Sequence, residues 1–455
     1  MDGTQTYLII GGGLAGAKAA ETLRAEGFGG RVILLGDEHE QPYERPPLSK
    51  DYLAGRADRG SVFVHPAGWY AAHRVELHLG QPAVAIDRRR REVRLGDGTR
   101  LPYDRLLLAT GAEPRRLGIP GTELAGVHHL RRLAHADHLR GALTAPGREG
   151  DPLVIAGAGW IGLEVAAAAR TLDVPVVVVE PEPTPLHRVL GPELGEVLAG
   201  VHAERGVTFR FGDRLAAIEG RDGIVSGVRT EGGARLPARA VLAAIGAAPR
   251  TALAASAGLE LADEGVGGVA VDAALRTSDP RIFAAGDVAA QELGSGSDRR
   301  RVEHWANALH AGPAAARAML GRDVVFDRVP YFFSDQYDLG IEYSGWAPAG
   351  DYDRVVWRGD PERREAVAFW LRGGRVLAGL SMNVWDVTEA VQRLVRSGRE
   401  VDPAALADPD VPLAGLLDGE SAGASVGEPV GEPVGEPVGE PVGDSLGEAR
   451  SGQGG

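Results

Sequence analysis

The chain has 455 residues, no cysteine and a formal net charge of −14. The missing cysteines exclude disulfides, cysteine-ligated iron–sulfur clusters and thiol catalysis, and the acidic balance argues against nucleic-acid binding. No apolar run approaches the roughly 18 residues of a membrane span, and the first residues lack a secretory signal pattern. We therefore expect a cytoplasmic protein with no membrane contact and, from its length, two or three domains.

The chain opens on an apolar run at residues 7–10, a glycine-rich turn and a helix of small residues. In such a GxGxxG turn the glycines allow a tight bend, a close approach of backbone to a pyrophosphate and close packing of helix on strand. A second apolar run at residues 32–35 leads to Asp37, which is suitably spaced to bind ribose hydroxyls. This unit predicts a dinucleotide site rather than a structural turn. Its glycines are Gly11, Gly13 and Gly16.

A proline-rich loop follows at residues 41–55, QPYERPPLSKDYLAG. Prolines exclude a strand interior here and favour an ordered loop. Such a loop would hold Arg45 and Lys50 beside the first nucleotide site, where a flavin ring needs fixed donors. The alternative is a surface turn with solvated charges.

Short strands and turns occupy residues 83–111, with a hairpin signal at Asp97-Gly98. The arginine run at residues 88–91 is interpreted as the solvated edge of this hairpin. The strand at residues 106–109 ends in Thr110-Gly111, which predicts a second approach of backbone to the first nucleotide.

A second strand–GxGxxG–helix unit spans residues 152–183. Glu180 ends its second strand and is expected to accept from a ribose 2′-hydroxyl and to repel a 2′-phosphate, which favours NADH over NADPH. Arg188 lies nearby and weakens that preference. Glu164, on the helix, is a candidate site residue or a surface carboxylate. The glycines of this turn are Gly157, Gly159 and Gly162.

Two more segments point to the cofactors. The strand at residues 241–245 ends in Gly246, and Asp287 follows another buried strand, where it either accepts from ribityl hydroxyls or caps a helix. A helix opening with His304 and Trp305 comes next. Two dinucleotide units in one chain predict a flavin paired with a nicotinamide.

The predicted fold is α/β, with two Rossmann-type dinucleotide-binding domains and a C-terminal α+β domain. The FAD-binding domain comprises residues 1–117 and 245–325, and the NAD-binding domain residues 118–244. Alternating apolar and aromatic residues mark the third domain, 326–415. Residues 416–455 contain four Val-Gly-Glu-Pro repeats and predict a disordered, solubilising tail that carries half of the net charge.

The motifs PYERPPLSK, AAGDVA, RVEHWANA and PYFFSDQYDLG together resemble the FAD- and NADH-dependent ferredoxin and rubredoxin reductases that serve bacterial oxygenases. The resemblance runs from about residue 5 to 412. It implies that Lys50 lies near flavin N5 and that Glu164 pairs with Lys50 and contacts the nicotinamide. The family's Trp-Phe-Trp is here Tyr331-Phe332-Phe333, which retains stacking and removes indole contacts.

The resemblance also implies roles for the residues around the flavin. Asp37 and Ala15 bind the adenosine half of FAD and Ala83 borders the adenine, while Arg131 reaches the phosphates or ribityl chain. Lys50 and Glu164 are the predicted catalytic residues, and no metal ligand is predicted. The predicted cofactor contacts are Gly11, Gly13, Leu14, Ala15, Gly16, Asp37, Arg45, Lys50, Ala83, Thr110, Gly111, Arg131, Gly157, Gly159, Trp160, Ile161, Gly162, Glu180, Arg188, Gly246, Asp287, Val288 and Trp305.

The implied reaction is hydride transfer from NADH to FAD, followed by single-electron transfer to a two-iron ferredoxin. We expect transient electrostatic docking on basic residues and a monomer or weak homodimer. Alternatives within enzymes are a rubredoxin, a quinone or oxygen as acceptor. An NADH-sensing flavoprotein resembling apoptosis-inducing factor is the non-enzymatic alternative. The candidate docking residues are Arg299, Arg300, Arg301, Arg393, Arg396 and Arg399.

Overall fold

The computed structural model describes residues 5–148, 150–292 and 299–417. Its first part contains a strand–turn–helix–strand unit followed by a hairpin region. The elements up to residue 148 are β1 (Thr6–Ile10), α1 (Leu14–Ala25), β2 (Arg31–Leu35), α2 (Asp51–Ala54), α3 (Trp69–Ala72), β3 (Val75–His78), β4 (Ala83–Asp87), β5 (Glu92–Leu95), β6 (Arg100–Pro102), β7 (Arg105–Leu108), β8 (Ala112–Pro114), β9 (Val127–His128) and α4 (Leu133–Thr144).

The middle part repeats the strand–turn–helix–strand unit. Its elements are β10 (Leu153–Ala156), α5 (Trp160–Thr171), β11 (Val176–Glu180), α6 (His187–Glu204), β12 (Val207–Phe211), β13 (Leu215–Arg221), β14 (Ile224–Thr230), β15 (Arg235–Pro237), β16 (Ala240–Ala243), β17 (Ala247–Pro249), α7 (Ala252–Ser256), β18 (Val269–Val271), β19 (Ile282–Ala284) and β20 (Ala289–Glu292).

The last part contains a short strand and a helix, then the five strands of an antiparallel sheet and two further helices. Its elements are β21 (Arg299–Arg301), α8 (Trp305–Met319), β22 (Tyr331–Gln336), β23 (Leu339–Gly345), β24 (Arg354–Asp360), β25 (Glu365–Arg372), β26 (Arg375–Met382), α9 (Thr388–Ser397) and α10 (Pro403–Ala407). Short 3-10 turns lie at Pro46–Ser49, Arg59–Val62, Gly286–Val288 and Leu413–Leu417.

Two parallel five-stranded sheets form the α/β part of the molecule. The first has the order β19-β7-β1-β2-β3 and the second the order β12-β11-β10-β16-β9. The central strands β1 and β10 are mostly apolar and fully buried, as expected for parallel sheets covered on both faces. Strand β19, at the edge of the first sheet, comes later in the chain than every strand of the second sheet. The predicted α/β class with two Rossmann-type units is confirmed.

An antiparallel sheet of order β22-β23-β26-β25-β24 follows. In strand β25 every residue between the two ends is buried. Since successive side chains point to opposite faces, both faces of this strand are covered. Phe369 packs with Val391 of α9 on one side, whereas Trp370 donates from Nε1 to the carbonyl of Leu190 in α6, at 3.1 Å. The sheet therefore joins its own helix to the second Rossmann unit.

Residues up to Leu417 form one compact unit. The three-domain division of this unit, with the boundaries given above, stays a prediction. The Val-Gly-Glu-Pro repeats predicted to be disordered lie outside the described residues, as does everything from residue 418 onward.

Candidate flavin and nicotinamide site

The first glycine turn is shaped by close backbone contacts. Gly11 has a φ of +129°, and a Cβ there would lie 2.0 Å from the carbonyl oxygen of Ala109. A Cβ on Gly16 would lie 2.1 Å from the carbonyl oxygen of Gly11, so α1 can pack onto β1 only without a side chain. Gly13 caps α1 and directs the helix N-terminus at the adjoining cavity.

A cavity of about 430 Å³ lies between the two Rossmann units and reaches the antiparallel sheet. It brings together residues that are far apart in the chain. The predicted residues that line it are Gly11, Gly13, Leu14, Ala15, Asp37, Arg45, Lys50, Thr110, Gly111, Arg131, Trp160, Ile161, Glu164, Asp287 and Trp305.

At one end of the cavity Asp37 is held by two arginines that the sequence did not single out. Arg132 donates from Nη2 to its Oδ2 at 2.8 Å, and Arg250 does so at 3.0 Å. Burial alone would raise the pKa of Asp37, but the charges and hydrogen bonds of Arg250 and Arg132 outweigh it, so the pKa lies below its usual value. Asp37 is thus an ionised acceptor.

At the other end Lys50 and Glu164 form an ion pair, with 3.1 Å between Nζ and Oε1. Their side chains are 13% and 4% exposed, which rules out a surface role for Glu164. The carboxylate also accepts from the hydroxyls of Ser49 and Ser334. A buried carboxylate with a cation and two donors is fully satisfied, so the site can keep this charge in place.

Aromatic rings form a wall beside this pair. Phe333 lies beneath the Lys50 ammonium, 5.0 Å from Nζ to the ring centroid, and meets Trp305 edge-on. Phe332 packs on Trp160 at 4.2 Å between centroids. Phe332 and Phe333 line the cavity in an arrangement that suits a flat ring system, whereas Tyr331 does not line it, and stacking on the flavin stays a prediction.

Two charged residues of the predicted phosphate and ribityl region contact each other. Arg131 pairs with Asp287 and also donates to the carbonyl of Ala112. Buried polar atoms at this cavity without a hydrogen-bond partner among the described residues include Nε of Arg45 and Nδ1 of His304. Burial lowers the pKa of His304 to about 4, so its ring is neutral at pH 7. Orphaned polar atoms in a cavity of this size fit a polar, ring-bearing cofactor.

The second glycine turn repeats the geometry of the first. Gly157 has a φ of +100°, and a Cβ on Gly162 would lie 2.2 Å from the carbonyl oxygen of Gly157. Glu180 is buried and accepts from the backbone N–H of Ala158 at 2.6 Å and of Glu182 at 2.9 Å. Its carboxylate therefore lies against the turn that would receive a nucleotide.

Other predicted residues lie outside the cavity. Arg188 is 76% exposed and pairs with Glu182. Ala83 opens β4 and pairs with Leu95 of the hairpin, and neither it nor the buried Val288 is among the lining residues. Their cofactor contacts stay predictions. The same holds for the remaining predicted residues that do not line it: Gly16, Gly157, Gly159, Gly162, Glu180 and Gly246.

The described part of the chain holds no cluster of histidine, aspartate and glutamate suited to a metal ion. Among the same residues, no helix is both long and apolar enough to cross a membrane.

The two glycine turns and the polar, aromatic cavity define the class of protein: these are features of flavin- and nicotinamide-dependent oxidoreductases. Comparison with known families agrees. Residues 5–312 match the family described as pyridine nucleotide-disulphide oxidoreductase, and residues 331–417 match a reductase C-terminal domain. The chain belongs to this family, which confirms the predicted oxidoreductase class and its cofactors, FAD and NADH.

Similar proteins cover nearly the whole described chain. The putidaredoxin reductase CamA of Pseudomonas putida is 35% identical, covering 93% of this chain and 99% of its own. The ferredoxin–NAD(+) reductase component of the biphenyl dioxygenase system of Paraburkholderia xenovorans is 40% identical, covering 90% and 98%. A solved covalent putidaredoxin reductase–putidaredoxin complex matches with a TM-score of 0.86 at 35% identity, covering 92% of this chain and 99% of that one.

Proposed function

We propose that this protein takes reducing equivalents from NADH onto its FAD and passes them singly to a small iron–sulfur protein, a two-iron ferredoxin. The observation that carries the proposal is the buried Lys50–Glu164 pair between the two glycine turns. The relatives named above are reductases of putidaredoxin and of a dioxygenase ferredoxin, which supports this acceptor class.

The absence of cysteine from the sequence excludes one route by which electrons could leave the flavin. A disulfide reductase relays electrons through a cysteine pair beside the flavin, and this chain has no residue for that relay. A bound flavin accepts two electrons and can release them one at a time. The acceptor then needs only to approach the flavin, because no covalent intermediate with the protein is required.

The protein's own contribution is positional and electrostatic. The Lys50 ammonium lies on the wall of the cavity, where a positive charge stabilises negative charge that develops on a bound ring. Glu164 fixes the direction of Lys50 and offers a carboxylate to a carboxamide in the same cavity. The phenylalanine and tryptophan rings around them exclude water, which strengthens both interactions.

The nucleotide preference follows from Glu180. Its buried carboxylate at the second turn can accept from a ribose 2′-hydroxyl and would repel a 2′-phosphate. Arg188, which could have compensated a phosphate, is engaged with Glu182 and points to solvent. We therefore expect NADH to be the better substrate.

The six arginines predicted to dock an acidic ferredoxin differ in their contacts and exposure. Arg299 donates to the carbonyl of Val271, and Arg301 donates to that of Val266 and also pairs with Glu303, so contacts within the fold hold both side chains. Arg399 donates to the carbonyl of Leu417. We take as the main candidates Arg300, which lies over Trp346, and the exposed pair Arg393 and Arg396 on α9.

Acceptor kinetics at increasing ionic strength test the proposal. The reduction of a two-iron ferredoxin should weaken steeply between 20 and 300 mM salt, about 10-fold or more, because docking relies on exposed charges. The reduction of ferricyanide should change less than about twofold, because a small dye needs no docking surface. Parallel loss of both activities would refute the docking surface, and ferredoxin reduction no faster than in a protein-free control would refute the proposed acceptor.

A further inference from the structure

A line of hydrogen bonds leads from Glu164 away from the cavity into the protein. Ser334 Oγ lies 2.7 Å from Glu164 Oε1, and Gln336 Nε2 lies 3.0 Å from Ser334 Oγ. Gln336 Oε1 lies 2.8 Å from Nε2 of His202, whose Nδ1 lies 3.3 Å from the hydroxyl of Tyr337. Ser334, Gln336 and His202 are each 0% exposed, and none of them lines the cavity.

The charge at one end fixes the direction of every bond. A carboxylate only accepts, so the Ser334 hydroxyl must donate to Glu164, and its oxygen must then accept from the Gln336 amide nitrogen. The amide oxygen of Gln336 therefore faces His202, which must carry its proton on Nε2.

The other nitrogen of the ring completes the sequence of bonds. Burial lowers the pKa of His202 to about 4, so the ring is neutral at pH 7 and its Nδ1 is an acceptor. The Tyr337 hydroxyl is left to donate to it. All four donors thus point along one line toward the carboxylate.

This line connects three elements that meet at the site. Glu164 is on α5 and His202 on α6 of the second Rossmann unit, whereas Ser334 and Gln336 are on β22 of the antiparallel sheet. Alternation along β22 points both residues to the same face, because they are two positions apart. Buried polar groups are costly unless they are satisfied, and this set is satisfied only when α5, α6 and β22 are in register.

We propose that Gln336 and His202 are positioning residues which, through Ser334, hold the Glu164 carboxylate in the orientation that pairs it with Lys50. The inference rests on the proposed function, since it requires Glu164 to act on the bound nucleotide. Aligned dipoles in a dry interior strengthen one another, so a break in the line loosens Glu164 without touching the cavity wall.

Stopped-flow reduction of the flavin by NADH tests the assignment. Gln336→Leu should lower the limiting rate about 10-fold, as loss of an outer partner of a site residue does elsewhere, while the dissociation constant for NADH changes less than about twofold. His202→Leu should behave alike. His202→Gln should restore the rate because its amide can donate from the position of the lost Nε2–H. Ser334→Ala replaces Gln336→Leu if that variant does not fold.

A matched control is available where α9 packs on the neighbouring strand β23. Gln392 of α9 donates to the hydroxyl of Ser344 on β23 at 3.3 Å, and neither residue bonds to the line that leads to Glu164. Gln392→Leu should leave the limiting rate unchanged. An equal loss in Gln392→Leu and Gln336→Leu would reduce the effect to a general loosening of the sheet and overturn the assignment.

Coupling separates this inference from the proposed function. Residues that act through one group are not additive, so Gln336→Leu should have no further effect when Glu164→Gln is already present. Additive losses would overturn the positioning role and leave the role of Glu164 intact. If Glu164→Gln alone leaves the rate unchanged, the proposed role of Glu164 fails and the inference with it.

Nitrogen NMR of the protein labelled at histidine gives a readout apart from activity. The His202 signals, assigned by their loss in His202→Gln, should report a neutral ring with the proton on Nε2 at pH 7. A proton on Nδ1, or a charged ring at pH 7, would contradict the direction of the bonds.

Discussion

Lys50 and Glu164 meet in a buried ion pair although one belongs to the proline-rich loop after the first Rossmann unit and the other to the helix of the second. The loop is fixed at this point because Ser49, the preceding residue, donates to the same carboxylate. One carboxylate thus ties the two nucleotide-binding units together at the cavity between them.

The ion pair predicts a kinetic role for Lys50. Lys50→Met keeps the length of the side chain and removes its charge, so flavin reduction by NADH should slow by about 10- to 100-fold. Stopped-flow measurement at saturating NADH would show the change.

Lys18→Met is the matched control because Lys18 is the other lysine of the sequence and pairs with Glu21 on α1. This variant should keep the wild-type rate. An unchanged rate in Lys50→Met would remove Lys50 from the mechanism.

The two arginines Arg132 and Arg250 form a clamp on the Asp37 carboxylate, which predicts how the free energy of unfolding depends on pH. Its pKa in the folded protein lies below the usual 3.8, so the stability that it contributes is present above about pH 3.8 and is lost as the pH falls through the folded value. The difference in unfolding free energy between wild type and Asp37→Asn should therefore stay constant from pH 7 to 4.5. Urea unfolding measures it, and a difference that vanishes between pH 6 and 4.5 would contradict the clamp.

The position of Glu180 predicts the nucleotide preference. Glu180→Ser removes the carboxylate that would repel a 2′-phosphate, so the ratio of kcat/KM for NADPH to that for NADH should rise at least about 10-fold, a loss of about 1.4 kcal/mol of discrimination. Glu231→Ser, at an exposed turn, is the control and should leave the ratio unchanged. A ratio that does not move in Glu180→Ser would place the discrimination elsewhere.

The exposed arginines of α9 predict where ferredoxin docks. Replacing both Arg393 and Arg396 by Glu should lower kcat/KM for ferredoxin about 10-fold or more at low salt, because complementary charge accelerates encounter. Ferricyanide reduction should be preserved. The matched control is the same double charge change at Arg89 and Arg94, which are exposed on the β4–β5 hairpin. An equal effect of both pairs would show that net charge alone matters.

Local spacing made much of the fold predictable. Both GxGxxG turns occur where the sequence predicts them. Their backbone lies so close to neighbouring carbonyl groups that only glycine fits, and this requirement is visible in the sequence as closely spaced glycines. The strand expected at residues 7–10 is observed as Thr6–Ile10, and the helix opening with Trp305 runs to Met319. In these segments the spacing of apolar residues and the turn residues indicate the same secondary structure.

Contacts between distant segments were not predictable in the same way. Arg132 and Arg250 converge on Asp37 from a loop before α4 and from the end of β17, and no spacing rule relates these positions. His202 and Gln336 likewise come into contact only when α6 packs against β22, and no spacing rule relates their positions in the sequence. The arginines at residues 299–301 were grouped as a basic surface, but two of them bond to backbone that lies nearby only in the folded sheet.

The most direct test of the central claim is an anaerobic titration of the purified protein with NADH, followed by a two-iron ferredoxin and cytochrome c as the final acceptor. The account predicts rapid bleaching of the flavin and cytochrome reduction that depends on ferredoxin. Bleaching to a stable flavin–NAD complex that no iron–sulfur protein discharges would contradict it and would favour an NADH sensor instead.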